Sequence, residues 1–121
     1  MTLRSLFVFV SLFLSCQAQA AERRASRCIY SDLSNTSYAD GPCRLRDVPA
    51  AQGKLAAYTV TWPGGASPEN LRLAVVVDKQ GEGASQNLSL DGRPAVGFEM
   101  TRGRYLIVTK DTQRALIIEG Q

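Results

Sequence analysis

Asn87–Glu119 reads NLSLDGRPAVGFEMTRGRYLIVTKDTQRALIIE, and its punctuation decides the fold. Asp91-Gly92, Thr101-Arg102-Gly103 and Lys110-Asp111-Thr112-Gln113 are turn sequences. They separate the apolar runs Asn87–Leu90, Ala95–Met100, Arg104–Thr109 and Arg114–Glu119, each of strand length and too short for a stable helix. Asp-Gly between two such runs is the expected sequence of a two-residue hairpin. The stretch predicts a meander of antiparallel strands.

The same pattern continues upstream. In Lys54–Trp62, the residues Tyr58, Val60 and Trp62 fall on one face and Thr59 and Thr61 on the other, and Pro63-Gly64-Gly65 ends the run. In Asn70–Asp78, the residues Leu71, Leu73, Val75 and Val77 share a face. Cys28–Ser31 and the alternating Cys43–Asp47 read as shorter strands, with Asp40-Gly41-Pro42 as a turn between them. Lys79–Ser85 is polar and glycine-rich and reads as a mobile loop. The fold class is therefore all-β, a small antiparallel sandwich or partly open barrel of about six or seven strands. Its expected core is Leu45, Leu55, Tyr58, Val60, Trp62, Leu71, Leu73, Val75, Leu88, Leu90, Val96, Phe98, Leu106, Val108, Leu116 and Ile118, with Met100 following Val96 and Phe98 inward. Ile107 and Ile117 then face outward. They either cover a second cluster or form an exposed apolar stripe, which would mark a contact site.

The N-terminus reads as an export signal. Arg4 supplies a positive start, Leu6–Leu14 a short apolar run, and Ala18-Gln19-Ala20 the small residues of a cleavage site. The apolar run is about half of what a bilayer span needs. The expected organisation is a signal peptide over 1–20 and a single β domain over 21–121, exported to a periplasm or the extracellular space. Cys16 leaves with the signal, and Cys28 and Cys43 remain to form a disulfide in an oxidising compartment. A second reading of the leader has Cys16 lipidated, which would tether the protein to a membrane; without it no membrane partner is expected. Asn35-Thr36-Ser37 and Asn87-Leu88-Ser89 are glycosylation sequons that matter only in a eukaryotic source.

Charge and composition narrow the function further. The chain carries 14 basic and 11 acidic side chains, a net +3 that becomes +2 without Arg4. That is too mild to predict a nucleic-acid partner. The cluster Arg23, Arg24, Arg27 reads as a solvated N-terminus, with a membrane-surface or polyanion contact as the alternative. The chain has no histidine, hence no Ser-His triad and none of the commonest metal ligand. Its acidic residues fall mostly at turns, where Asp is favoured for backbone reasons. Asp78 and Glu82 lack the spacing of a calcium loop. The expectation is a non-catalytic binding module without metal or cofactor; Tyr30 and Tyr38 either serve surface adhesion or pack around the disulfide.

One stretch resembles a known family. Leu90-Asp91-Gly92, Thr101-Arg102-Gly103-Arg104-Tyr105 and Lys110-Asp111 followed by Ala115-Leu116 are similar to the C-terminal hairpin and loops of bacterial inhibitors of C-type lysozyme, which are small exported β-barrels. The sequence departs from that pattern: Thr101 stands where the family has serine, Arg102 and Asp111 where it has glycine, and Cys28 and Cys43 make a local link. The resemblance implies lysozyme as an alternative partner, with Thr101, Arg102, Arg104, Tyr105 and Lys110 as candidate partner-binding residues and Thr101 and Lys110 meeting the enzyme's carboxylates. A basic partner would gain no electrostatic steering from a +2 chain. The two loops also flank one strand, which at about 3.3 Å per residue holds them roughly 20 Å apart.

Overall fold

Asp91 and Gly92 both take positive φ, 53° and 82°, as a two-residue hairpin turn requires. The hairpin they close joins two of eight strands in the computed structural model, which describes residues 22–64, 70–101 and 103–120. The strands are β1 (Glu22–Asp32), β2 (Ser37–Asp47), β3 (Ala56–Thr61), β4 (Arg72–Gln80), β5 (Ser85–Leu90), β6 (Arg93–Glu99), β7 (Arg104–Thr109) and β8 (Arg114–Glu119). Each pairs antiparallel with the next, and β8 returns to β1 to close a barrel. The all-β antiparallel class is as the alternation predicts, and the strands number eight in a closed sheet. The stretch read as an export signal, with Cys16 in it, and Arg102 lie outside the described residues.

The first two strands are longer than the sequence suggests. Arg23, Arg24 and Arg27 belong to β1, and Asp40-Gly41-Pro42 is part of β2. Both corrections have one cause: Asp40 is paired across the sheet with Ile29 and its carboxylate takes two hydrogen bonds from Arg27, at 2.7 and 2.8 Å. Long-range pairing overrides local turn propensity here. A bulge in β1 between Ala25 and Cys28 shifts the register against β2.

An eight-stranded barrel encloses just enough space for its own side chains. Leu45, Leu73, Leu90, Ile107, Leu116, Ile118, Val60 and Val75 fill it and are fully buried. The disulfide Cys28–Cys43 joins β1 to β2 within this core. Trp62 is buried beside it, its indole N–H donating to the Cys28 carbonyl at 3.0 Å and its ring 6.5 Å from that of Tyr30. Tyr30 thus packs around the disulfide, and burial raises its phenol pKa to about 12.

The two ends are closed by polar side chains. At the end where β1 finishes, Asp32 is buried, ion-paired with Arg114 at 2.9 Å, and accepts hydrogen bonds from the Ser34 amide and hydroxyl at 2.9 and 2.5 Å and from the Tyr30 hydroxyl at 3.3 Å. At the end where β1 begins, Arg23 pairs with Asp47 at 2.7 Å and lies over the Tyr58 ring.

The core differs from expectation in two strands and one loop. Ala95 and Gly97 of β6 point inward, so Val96 and Phe98 point out. Ile107 of β7 points inward and is fully buried, so Leu106 and Val108 point out. Met100 is exposed beyond the end of β6, and Leu55 is 57% exposed in the β2–β3 loop. The reason for β6 is spatial. The Tyr105 ring lies across Gly97, where a Cβ would sit 2.6 Å from its Cζ and 2.9 Å from a Leu88 methyl. The barrel has room for the tyrosine or for a larger β6 side chain, not both.

Candidate functional site

The phase of β6 and β7 puts their branched and aromatic side chains on the outside. Cross-strand pairing then assembles these into rows. Phe98 pairs with Leu106, Leu106 with Ile117, and Ile117 with Ile29, giving four apolar residues in line across β6, β7, β8 and β1. A second row beside it runs Val96, Val108, Ala115, Ser31 and Tyr38. Phe98 is 40% exposed, Met100 46% and Tyr38 55%, and the aliphatic members are half-buried by one another. Of the two residues expected to face outward, Ile117 does and Ile107 is fully buried; of the two alternatives the outer residues form a stripe, with Leu106 and Val108 in the place of Ile107.

Charged pairs border the wall at its lower edge, toward the end of the barrel where β1 begins. Arg104 meets Glu119 at 2.8 Å, and Arg27 meets Asp40 at 2.7 Å. The Arg27 hydrogen bond holds the Asp40 carboxyl below its usual range, and the Tyr38 hydroxyl adds a bond at 3.2 Å. Met100 extends the apolar surface beside Arg104, to whose carbonyl its amide donates. An apolar centre with a rim of arginine, tyrosine and methionine is the composition of protein–protein interfaces. The closed barrel offers no free sheet edge along its wall, so a partner must be met by side chains and not by strand addition.

The residues singled out from the sequence do not converge. Thr101 is exposed in the β6–β7 turn at the lower end, where its carbonyl accepts from Arg104 N–H at 2.9 Å. Arg104 leads β7 on the outer face, held by Glu119. Tyr105 turns inward, its hydroxyl donating to Gln86 at 2.5 Å, and burial raises its pKa. Lys110 is exposed at the other end of β7, in the turn whose Asp111 is held below its usual pKa by the Thr109 hydroxyl bond. Arg102 lies outside the described residues. The antiparallel course of β7 therefore separates Thr101 from Lys110, as strand length predicts.

The sequence reading places Val96, Phe98, Met100, Leu106 and Val108 inward, and the structure places them outward or beyond the strand. The signal that identifies Val96 and Phe98 as surface is the pair Ala95 and Gly97, small enough for the interior of a tapering barrel. Among the described residues, no group of three or more His, Cys, Asp or Glu side chains is placed to hold a metal ion. No protein-family model, curated protein or solved structure matches the chain.

Proposed function

We propose that this protein is an exported, non-catalytic binding module that meets a protein partner in the cell envelope or outside it. The disulfide is compatible with an oxidising compartment, and the leader sequence with export. The observation that carries the reading is the outer apolar wall of β6, β7, β8 and the upper half of β1. Eight strands leave an interior filled by side chains, which argues for recognition on the surface and against carriage of a ligand inside. A C-type lysozyme is the one partner class that the C-terminal resemblance offers. Thr101 and Lys110 sit at opposite ends of β7, so such a partner would be engaged by one loop or by the wall.

The test is site-specific photo-crosslinking in envelope extract. A crosslinker at Phe98 is expected to give a discrete adduct, and one at Val76 on the opposite wall none. Leu106→Asp should abolish the Phe98 adduct. Equal adducts at both positions, or none at Phe98, would refute the wall as the binding face. A lysis assay with C-type lysozyme decides the named partner separately.

A further inference from the structure

We propose that the outer face of β1 through β4 is a docking surface for anionic phospholipid headgroups. Arg24 pairs with Arg44, Arg44 with Thr61, and Thr61 with Arg72, so three guanidinium side chains share one row across four strands. Arg46, two residues beyond Arg44, joins the next row opposite Glu22 and Thr59. Inward-facing Ala25, Leu45 and Leu73 fix the outward direction of all four arginines. At about 4.8 Å between strands the row spans roughly 14 Å of sheet.

The contrast with the rest of the barrel points to a ligand. Arg23, Arg27, Arg93, Arg104 and Arg114 each have an acidic partner. Arg24, Arg46 and Arg72 have no ion pair among the described residues, and Arg44 shares only Glu22 at 3.5 Å. Arginines directly opposite each other on neighbouring strands repel, and such pairs are destabilising unless an anion lies between them. Planar guanidinium forks suit phosphate oxygens, and the patch contains no lysine.

Two features select a membrane over a soluble polyanion. The chain enters the barrel at Glu22, two residues from Arg24, and the preceding sequence carries the apolar run Leu6–Leu14 and Cys16. A precursor in the membrane, or a chain lipidated at Cys16, is therefore tethered beside this face. Leu55 is exposed in the β2–β3 loop, at the same end of the barrel as Arg46, and supplies an apolar side chain on the strands that carry the arginines, as membrane-surface binding requires. The wall proposed to meet a protein lies on β6, β7, β8 and the part of β1 beyond the bulge and shares no arginine with this face, so this inference does not depend on that reading.

The test uses the disulfide-bonded chain without its first twenty residues, which retains every described strand. It is expected to co-sediment with vesicles of phosphatidylglycerol and phosphatidylcholine in equal parts, less at higher salt, and not with phosphatidylcholine alone. At about fivefold per arginine, Arg24→Gln/Arg46→Gln/Arg72→Gln should weaken partitioning about a hundredfold. Arg93→Gln/Arg104→Gln/Lys110→Gln removes the same charge from the opposite strands and turns and should change it far less. Circular dichroism checks the fold, and Arg46→Gln alone, about fivefold weaker, serves if the triple variant unfolds. Absent binding, equal binding to phosphatidylcholine, or equal loss in the two triple variants would overturn the proposal. So would binding to inorganic polyphosphate or duplex DNA but not to vesicles, since it assigns the face to a soluble polyanion.

Discussion

Gly97→Ala should destabilise this barrel although alanine is ordinarily the better strand residue. The new methyl would lie 2.6 Å from Tyr105 Cζ and 2.9 Å from Leu88 Cδ2, and closer still to the Tyr105 hydroxyl. The tyrosine must move, losing its hydrogen bond to Gln86, a loss of about 1 kcal/mol. Forcing an extra carbon into packed surroundings costs a further 1–3 kcal/mol or so. Relief of glycine's conformational entropy returns about 0.5–1 kcal/mol. The net is about 1–3 kcal/mol, or a melting temperature lowered by about 5–15 °C at roughly 5 °C per kcal/mol. The assay is urea and thermal unfolding followed by Trp62, the single tryptophan, which is buried in the core. Tyr105→Ala removes the ring that the methyl meets. In the double variant Gly97→Ala should then cost at least about 1 kcal/mol less than it does alone. Refutation would be a neutral or stabilising Gly97→Ala, or strictly additive effects in the double variant. Either result would place the Tyr105 ring elsewhere and remove the reason given for the outward phase of Val96 and Phe98.

Two further predictions concern the core and its upper end. Cys28→Ser/Cys43→Ser, or reduction, should cost about 3 kcal/mol through a freer unfolded chain, read as a lower urea midpoint of the reduced protein; an unchanged midpoint would deny the bond. Burial raises the Asp32 pKa, but the Ser34 hydrogen bonds and the Arg114 charge outweigh it, and the folded-state pKa is depressed. Its contribution is therefore present above the ordinary carboxylate pKa, near 3.8, and is lost as pH falls through the lower folded value. Asp32→Asn should flatten the acid limb of the stability profile. At neutral pH it should also cost about 3–5 kcal/mol by leaving Arg114 unpaired. A variant with the same profile as the parent would refute the pair's role.

The strands that the sequence discloses are those with a clean period of two. Leu71, Leu73, Val75 and Val77 alternate with mostly smaller or polar neighbours, and Leu73, Val75 and Val77 are buried as read. Tyr58, Val60 and Trp62 alternate with threonines and keep their phase. In β6 and β7 the sequences AVGF and YLIV are apolar at both parities, so periodicity carries no phase. In β6, choosing the larger set for the interior fails because the interior volume of a closed barrel is fixed by strand number. The volume constraint is a property of the whole sheet and cannot be read from one strand. The candidate surface was legible only in outline: an outer stripe was expected, and its membership depended on the undetermined phase.

The bulge in β1 explains how one strand serves two faces of different character. Before it, Ala25 points inward and Arg24 outward. Ser26 and Arg27 are then both exposed, and after them Cys28, Tyr30 and Asp32 point inward. A regular strand continuing from Ala25 would instead bury Arg27, Ile29 and Ser31 and expose the cysteine and tyrosine. The extra residue is held in place by the Ser26 hydroxyl, which donates to the Glu119 carbonyl at 3.1 Å. Below the bulge the outward position is Arg24, in the basic row with Arg44. Above it the outward position is Ile29, in the apolar row with Ile117. A single inserted residue therefore reverses the phase of β1 between its two halves, brings Cys28 within disulfide reach of Cys43, and separates an arginine face from an apolar wall. The two proposed partners, of opposite chemistry, would then share only β1 and β2, and would meet different side chains on them.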